Sequence, residues 1–269
     1  MFMRALRILA PALFAIGTIS STCAQTLLLP PPNARLPEFE VATIKPASTI
    51  YLGVYLKPGG QVFGGNCSVF YLVMEAFHVP DTRVSGGPDW VKSAKFDITA
   101  IPPDDSAARQ YTPPGINTPM IDEQRLMMQA LLRDRFSLKY HVEKMEQPVY
   151  YLRRSSKQLK LNPPKDPKAG AFMSVNRYQG GEGNGELEGI NTTMTYTALR
   201  LSQVLQRTVL DQTGLSGAYD FHVNAPDERN ADIPNATFEG LKTLGLELKA
   251  GKAPIDSIII DEVNKPTPN

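Results

Sequence analysis

Apolar residues along this chain fall into short runs whose period switches from two to about 3.6, and the switch occurs twice in the same order. In Gly60-Gln-Val-Phe-Gly64-Gly-Asn66-Cys-Ser68-Val69 an alternating stretch ends on Asn66 and Ser68. Helical spacing follows over Val69–Phe77, with Leu72, Val73 and Ala76 on the apolar side. Gly185-Glu-Leu-Glu-Gly189-Ile-Asn191-Thr-Thr193-Met194 repeats the layout at an offset of 125 residues (185 − 60). It leads into Tyr196–Leu205, with Ala198, Leu201 and Leu205 apolar. Each stretch predicts a strand, a polar cap that accepts the free N–H groups of a helix start, and a helix.

The echo continues downstream. Arg83-Val84-Ser85-Gly86-Gly87 precedes Lys95-Phe96-Asp97-Ile98, as Val209-Leu-Asp211-Gln-Thr213-Gly214 precedes Ala218-Tyr219-Asp220-Phe221. Both predict a short strand, a glycine turn and a strand reading aromatic-Asp-apolar. A second helix follows in each half, over Gln124–Arg135 and Ala236–Leu244. Alternating strands come next at Phe136–Lys139 and Leu246–Lys249, and a proline-led strand closes each half at Pro148–Leu152 and Pro254–Ile260. Five echoes in one order predict an internal duplication. The expected fold class is α+β, with two small helix-on-sheet units packed together. The first unit covers 39–154, with added strands at Phe39–Ile44 and Tyr51–Lys57. The second covers 185–269, and the Lys-, Pro- and Gly-rich segment 155–184 joins them as a loop. The last strand, Pro254 to Val263, carries Pro254, Asp261 and Glu262, devices that guard a sheet edge. It could accept one extended partner by strand addition, while the run Ile258–Ile260 equally allows a central strand buried on both faces.

The N-terminus alters the picture of compartment. Arg4 and Arg7 precede an apolar run, Ile8–Ile19, and Thr22-Cys23-Ala24 offers small residues for cleavage before Gln25. Residues 1–24 read as a signal peptide and 25–38 as a Pro-rich segment, giving a secreted or periplasmic chain with no transmembrane span after cleavage. Cys23 raises lipidation as an alternative. With the leader removed, Cys67 stands alone and cannot form an internal disulfide, so it reads as a small core residue.

Composition is that of an ordinary globular chain: 42% hydrophobic and 20% charged residues allow a packed core. The net charge of +1 falls to −1 without Arg4 and Arg7, which leaves no basic footprint for nucleic acid.

Candidate chemistry is sparse. Of His78, His141 and His222, none shares a helical i, i+4 pair with another ligand. His141 and Glu143 fall on one face of a strand, and His222 lies close to Asp220. Asp97 and Asp220 occupy equivalent places. Two carboxylates invite a glycosidase reading, while their repetition beside glycine turns favours hydrogen bonding to the turn. Trp90, the lone tryptophan, could stack on a ligand or pack on the sheet. There is no nucleophile elbow, P-loop or zinc helix, so no cofactor or metal is expected.

The order of motifs resembles a known family. Phe39-Glu-Val-Ala-Thr-Ile-Lys-Pro46, Gly86-Gly-Pro-Asp-Trp90, Leu131-Leu132-x-x-Arg135-Phe136 and Glu146-x-Pro148-Val-Tyr150 carry it. So do Val209-Leu-Asp211-x-Thr213-Gly214-Leu-x-Gly217-x-Tyr219-Asp220-Phe221 and Ile260-Asp261-x-Val263-x-Lys265-Pro266. From Phe39 onward the chain resembles the soil-associated exported bacterial proteins, a domain of unknown function. Thr208 departs from the proline usual there. The resemblance implies export and supplies no catalytic residues. It favours a non-catalytic binding, sensing or interaction module in the cell envelope, its partner an envelope protein or an extracellular ligand. The alternative is a secreted hydrolase with a site assembled between the two halves.

Overall fold

The computed structural model describes residues 27–30, 35–111, 119–155, 157–176, 186–224 and 233–266. The expected signal peptide, Cys23 and the glycines at 180–185 lie outside the described residues. The two added N-terminal strands form as β1 (Val41–Pro46) and β2 (Gly53–Lys57). The first half continues through β3 (Gln61–Ser68), α1 (Val69–Phe77), β4 (Val84–Gly86), the short α2 (Trp90–Ser93) and β5 (Lys95–Ile101). The short α3 (Ala107–Gln110), α4 (Asp122–Phe136) and β6 (Lys139–Arg154) complete it. The second half runs β7 (Phe172–Asn176), β8 (Glu186–Thr193), α5 (Met194–Leu205), β9 (Val209–Asp211), β10 (Ala218–Asn224), α6 (Ile233–Thr243) and β11 (Leu246–Glu262). The fold is α+β, as expected.

The capping residues act where the sequence places them. The Ser68 hydroxyl accepts the Tyr71 N–H at 3.2 Å and starts α1; Thr193 accepts the Tyr196 N–H at 3.1 Å and starts α5. Each helix ends on a left-handed residue, His78 (φ 55°) and Gln206 (φ 49°). The polar turn before each helix is a β-bulge. On β3, Gly64 pairs with Ile98 and Cys67 with Phe96; on β8, Gly189 pairs with Phe221 and Thr192 with Tyr219. Each bulge therefore holds one extra residue against β5 or β10. Asn66 (φ 49°) and Asn191 (φ 45°) take the left-handed conformation that such bulges require.

Strands form three sheets, ordered β1-β5-β3-β2, β10-β8-β7 and β4-β11-β6-β9. The third sheet differs from the expectation of two adjacent units, because both halves build it. β6 and β11 pair antiparallel over their whole length, from Leu246 opposite Arg154 to Glu262 opposite Lys139. β4 of the first half lies parallel to β11 of the second, and β9 of the second lies parallel to β6 of the first. The Thr82 and Thr208 hydroxyls meet at 3.0 Å beside these crossings.

Four sequence expectations change here. Pro148 and Pro254 do not begin strands; they lie inside β6 and β11. Tyr150, two residues beyond Pro148, donates its N–H away from β11 to the Thr208 carbonyl. Period-two geometry points the Pro148 nitrogen the same way, outside the ladder, so its missing donor costs no β6–β11 bond. Pro254, opposite Glu146, has the same parity. The apolar run Ile258–Ile260 is interior, with β4 on one side and β6 on the other, which removes it as a docking edge. Segment 155–184 is more than a loop: it supplies β7, which extends the β8 sheet.

The core has two main parts. One packs α1 and α4 on the first sheet, with Phe77, Ile98, Leu132 and Phe136 fully buried, and takes in Ile258 and Ile260 of β11. The other packs α5 and α6 on β8, with Leu187, Met194, Leu201 and Leu241 buried, and takes in Leu152 of β6. Each core thus depends on side chains from a strand of the other half. Among the described residues, no helix is long and apolar enough to cross a membrane.

Candidate functional site

The residues singled out by sequence are dispersed. The Asp97 carboxylate accepts the backbone N–H groups of Asn66 (2.9 Å), Ser48 (2.8 Å) and Thr49 (3.1 Å) and the Ser48 hydroxyl (3.1 Å). Partial burial raises its pKa, but these donors outweigh that and hold it below the ordinary value. Asp220 does the same in the second half, accepting from Asn191 and Lys165, both at 2.8 Å. The two carboxylates lie in different sheets, each turned to its own bulge, and form no catalytic pair.

His141 is not matched with Glu143. Its Nδ1 lies 2.8 Å from Asp261 on the neighbouring strand. His222 bonds Glu186 at 3.1 Å rather than Asp220. Trp90 is half-buried against the first core, with the Lys265 ammonium 5.8 Å from its ring centre. Cys67 is buried and its thiol is pushed up to about 12 by burial, so it stays protonated. Among the described residues, no group of three or more His, Cys, Asp or Glu side chains could hold a metal.

A different set of residues converges. A cavity of about 500 Å³ opens at the junction of the halves, enclosed by β2, α1, the start of α4, β7 and α5. Helical spacing puts Tyr71, Glu75 and His78 of α1 on this cavity, and Tyr196, Arg200 and Gln203 of α5 on its other wall. Arg125 enters from α4. Tyr71 and Tyr196 stand at the repeat offset of 125 (196 − 71), and Glu75 and Arg200 share it (200 − 75). The two helices therefore bring the same phenol and opposite charges to one space.

The electrostatics follow from enclosure. Burial raises the Glu75 carboxyl; Arg125, the Tyr71 hydroxyl bonded to it and Arg200 oppose that shift. Tyr71 and Tyr196 are raised by burial and remain phenols, able to donate. His78 is pushed down to about 3, first by burial and then by Arg125, so its ring is neutral at ordinary pH. Arg125 is only 5% exposed; burial lowers its pKa, opposed by Glu75 and Asp122, the latter 3.1 Å from its Nη1. Two polar atoms here, His78 Nε2 and Arg125 Nε, are buried without a hydrogen-bond partner. At the rim, the loop before β2 exposes Ile50 (91%), Tyr51 and Leu52.

Sequence reasoning passed over this cluster. Tyr71 reads as an ordinary helix aromatic, and His78 has no ligand spacing. The usable signal was the shared spacing of the two halves: tyrosines 125 residues apart (196 − 71), each followed one turn later by a charge, of opposite sign in the two helices.

No curated protein and no solved structure matches the chain. A family model does match, over residues 71–263, from the cavity tyrosine of α1 to the end of β11. The chain belongs to that family, described as protein of unknown function, DUF3738.

Proposed function

We propose that this protein is an exported, non-catalytic binding module of the cell envelope, and that the cleft between its halves is the ligand site. One observation carries the reading: a recess of about 500 Å³ gathers Tyr71, Tyr196, Glu75, Arg125 and Arg200 beside Met74, Leu199 and Phe172. Small-molecule sites have this size and this mix of apolar lining with a few convergent polar groups. Unpartnered His78 Nε2 and Arg125 Nε are groups that a ligand could satisfy. Export rests on the N-terminal segment, Arg4 to Ala24. The matched order of elements in the two halves, with both bulges and both caps at one offset, supports an origin by duplication, which would place the cleft at the join of two related units.

A thermal-shift screen of small metabolites against the full chain tests the site. Ligands that raise the melting temperature of the wild type should fail on Leu199→Trp, because Leu199 lines the cavity and an indole would fill it. Hits unaffected by that change would place binding elsewhere.

Glu75 favours the hydrolase alternative, since a carboxyl raised by burial is what a general acid needs. That reading requires turnover of a chromogenic ester or glycoside that Glu75→Gln abolishes. The binding reading expects none.

A further inference from the structure

We propose that the cleft takes a monoanionic ligand, one carboxylate on an apolar body, with Arg200 as the anchor of the charge. The inference rests on the cleft being a ligand site and adds the chemistry of the ligand.

Glu75, Arg125 and Arg200 line the cavity. Arg125 has carboxylates to answer it: Asp122 at 3.1 Å, and Glu75, whose charge supports its own. Arg200 bonds only neutral acceptors, the Met173 carbonyl at 3.4 Å and the Gln203 side-chain oxygen at 2.5 Å. Among the described residues, no carboxylate lies within 4 Å of its guanidinium. Of the two guanidinium groups on the wall, Arg125 is ion-paired with Asp122, and Arg200 is the one with no carboxylate in reach among the described residues. In a recess partly screened from solvent, a pair of opposite charges attracts more strongly than in water. One carboxylate answers the single charge of Arg200; a phosphate dianion would exceed it. A guanidinium also presents paired N–H donors in the geometry of a carboxylate. Met74, Leu199, Phe172 and Met120 form an apolar stretch of the wall that suits a hydrocarbon or aromatic body.

Four probes with one body separate the possibilities: phenylbutyrate, phenylbutanol, phenylbutylammonium and phenylbutyl phosphate, titrated into the full chain by calorimetry. Phenylbutyrate should bind tightest, by about tenfold or more over the alcohol, the gain expected from a charge-assisted hydrogen-bonded pair. Arg200→Gln should reduce phenylbutyrate to the affinity of phenylbutanol and leave the alcohol unchanged, while Arg200→Lys should retain part of the preference. Leu199→Trp should abolish binding of every probe. Equal affinity for acid and alcohol, with Leu199→Trp still blocking both, overturns the anionic anchor and leaves the cleft as a site. A phosphate ester that binds more tightly than the acid overturns the monoanion assignment. No binding of any probe to the wild type overturns the ligand class and the cleft reading together. The ranking of the probes on wild type decides the matter if Arg200→Gln fails to fold.

Discussion

Asp97 and His78 show how single side chains divide the labour in this molecule. Asp97 secures a bulge: it gathers three backbone N–H groups and a hydroxyl, tying Ser48 and Thr49 to Asn66. Asp97→Ala should destabilise the fold by about 2–3 kcal/mol in chemical denaturation, the scale of hydrogen bonds to a charged group. Asp220→Ala should cost less, with two backbone donors in place of three. Because the folded pKa of Asp97 is depressed, its contribution is complete above the unfolded carboxylate range and is lost as pH falls through the folded value. Asp97→Asn should therefore remove part of the acid sensitivity of stability. His78 works in the opposite sense. Its folded pKa, about 3, lies below the ordinary 6.5, so between those values the unfolded chain binds a proton that the folded one does not. Stability should rise with pH across that window, and His78→Asn, which tolerates the left-handed helix end, should flatten the rise. That the aspartates serve the backbone was legible from their repetition in both halves, but their donors are the bulges at Asn66 and Asn191 and the segments at Ser48 and Lys165 rather than the glycine turns. The role of His78 was not, since nothing local in the sequence marks a histidine that faces a cavity built from distant elements.

Elements were legible wherever one local signal sufficed. The caps at Ser68 and Thr193, the bulge asparagines and the periodic faces of α1 and α5 are all written within a dozen residues. What escaped was continuity. Pro148 and Pro254 looked like strand starts, yet the ladder runs through both because their nitrogens face away from it. The helix pair shows a further adjustment: α5 has 12 residues and α1 has 9, a difference of one turn. The first half makes up that turn with the 3-10 segment Asp81–Arg83 before β4, so Val84 and Val209 regain the offset of 125 (209 − 84). Gly60 marks another close constraint, with φ 67° and the Ala108 carbonyl oxygen 1.8 Å from where a Cβ would sit. Gly60→Ala should cost more than about 2 kcal/mol, measurable as a lower denaturation midpoint, since both the backbone and the approach of α3 must give way.

At the level of the molecule, the sheet shared by β4, β11, β6 and β9 joins the halves more firmly than a linker would. Fragments ending at residue 176 and beginning at residue 186 should each fail to fold alone, showing little cooperative melting by circular dichroism. Mixed or co-expressed, they should restore a cooperative transition, because β6 and β11 complete each other's ladder. Two fragments that melt cooperatively apart would show that the exchanged strands are dispensable. This interleaving was invisible in the sequence, where echoes reveal that two segments are alike but not whether their strands pair within or between them. The same arrangement sets a schedule. Partners on β6 and β11 lie 92 to 123 residues apart (246 − 154 and 262 − 139), and among the described strands β11 is the last to leave the ribosome. Until it emerges, β4 has no neighbour and β6 lacks the one that runs its whole length. The nascent protein therefore stays without its central sheet through most of synthesis. Were the chain exported unfolded, as proposed from its N-terminal segment, that delay would keep it fit for a translocation channel until β11 closed the structure on the far side.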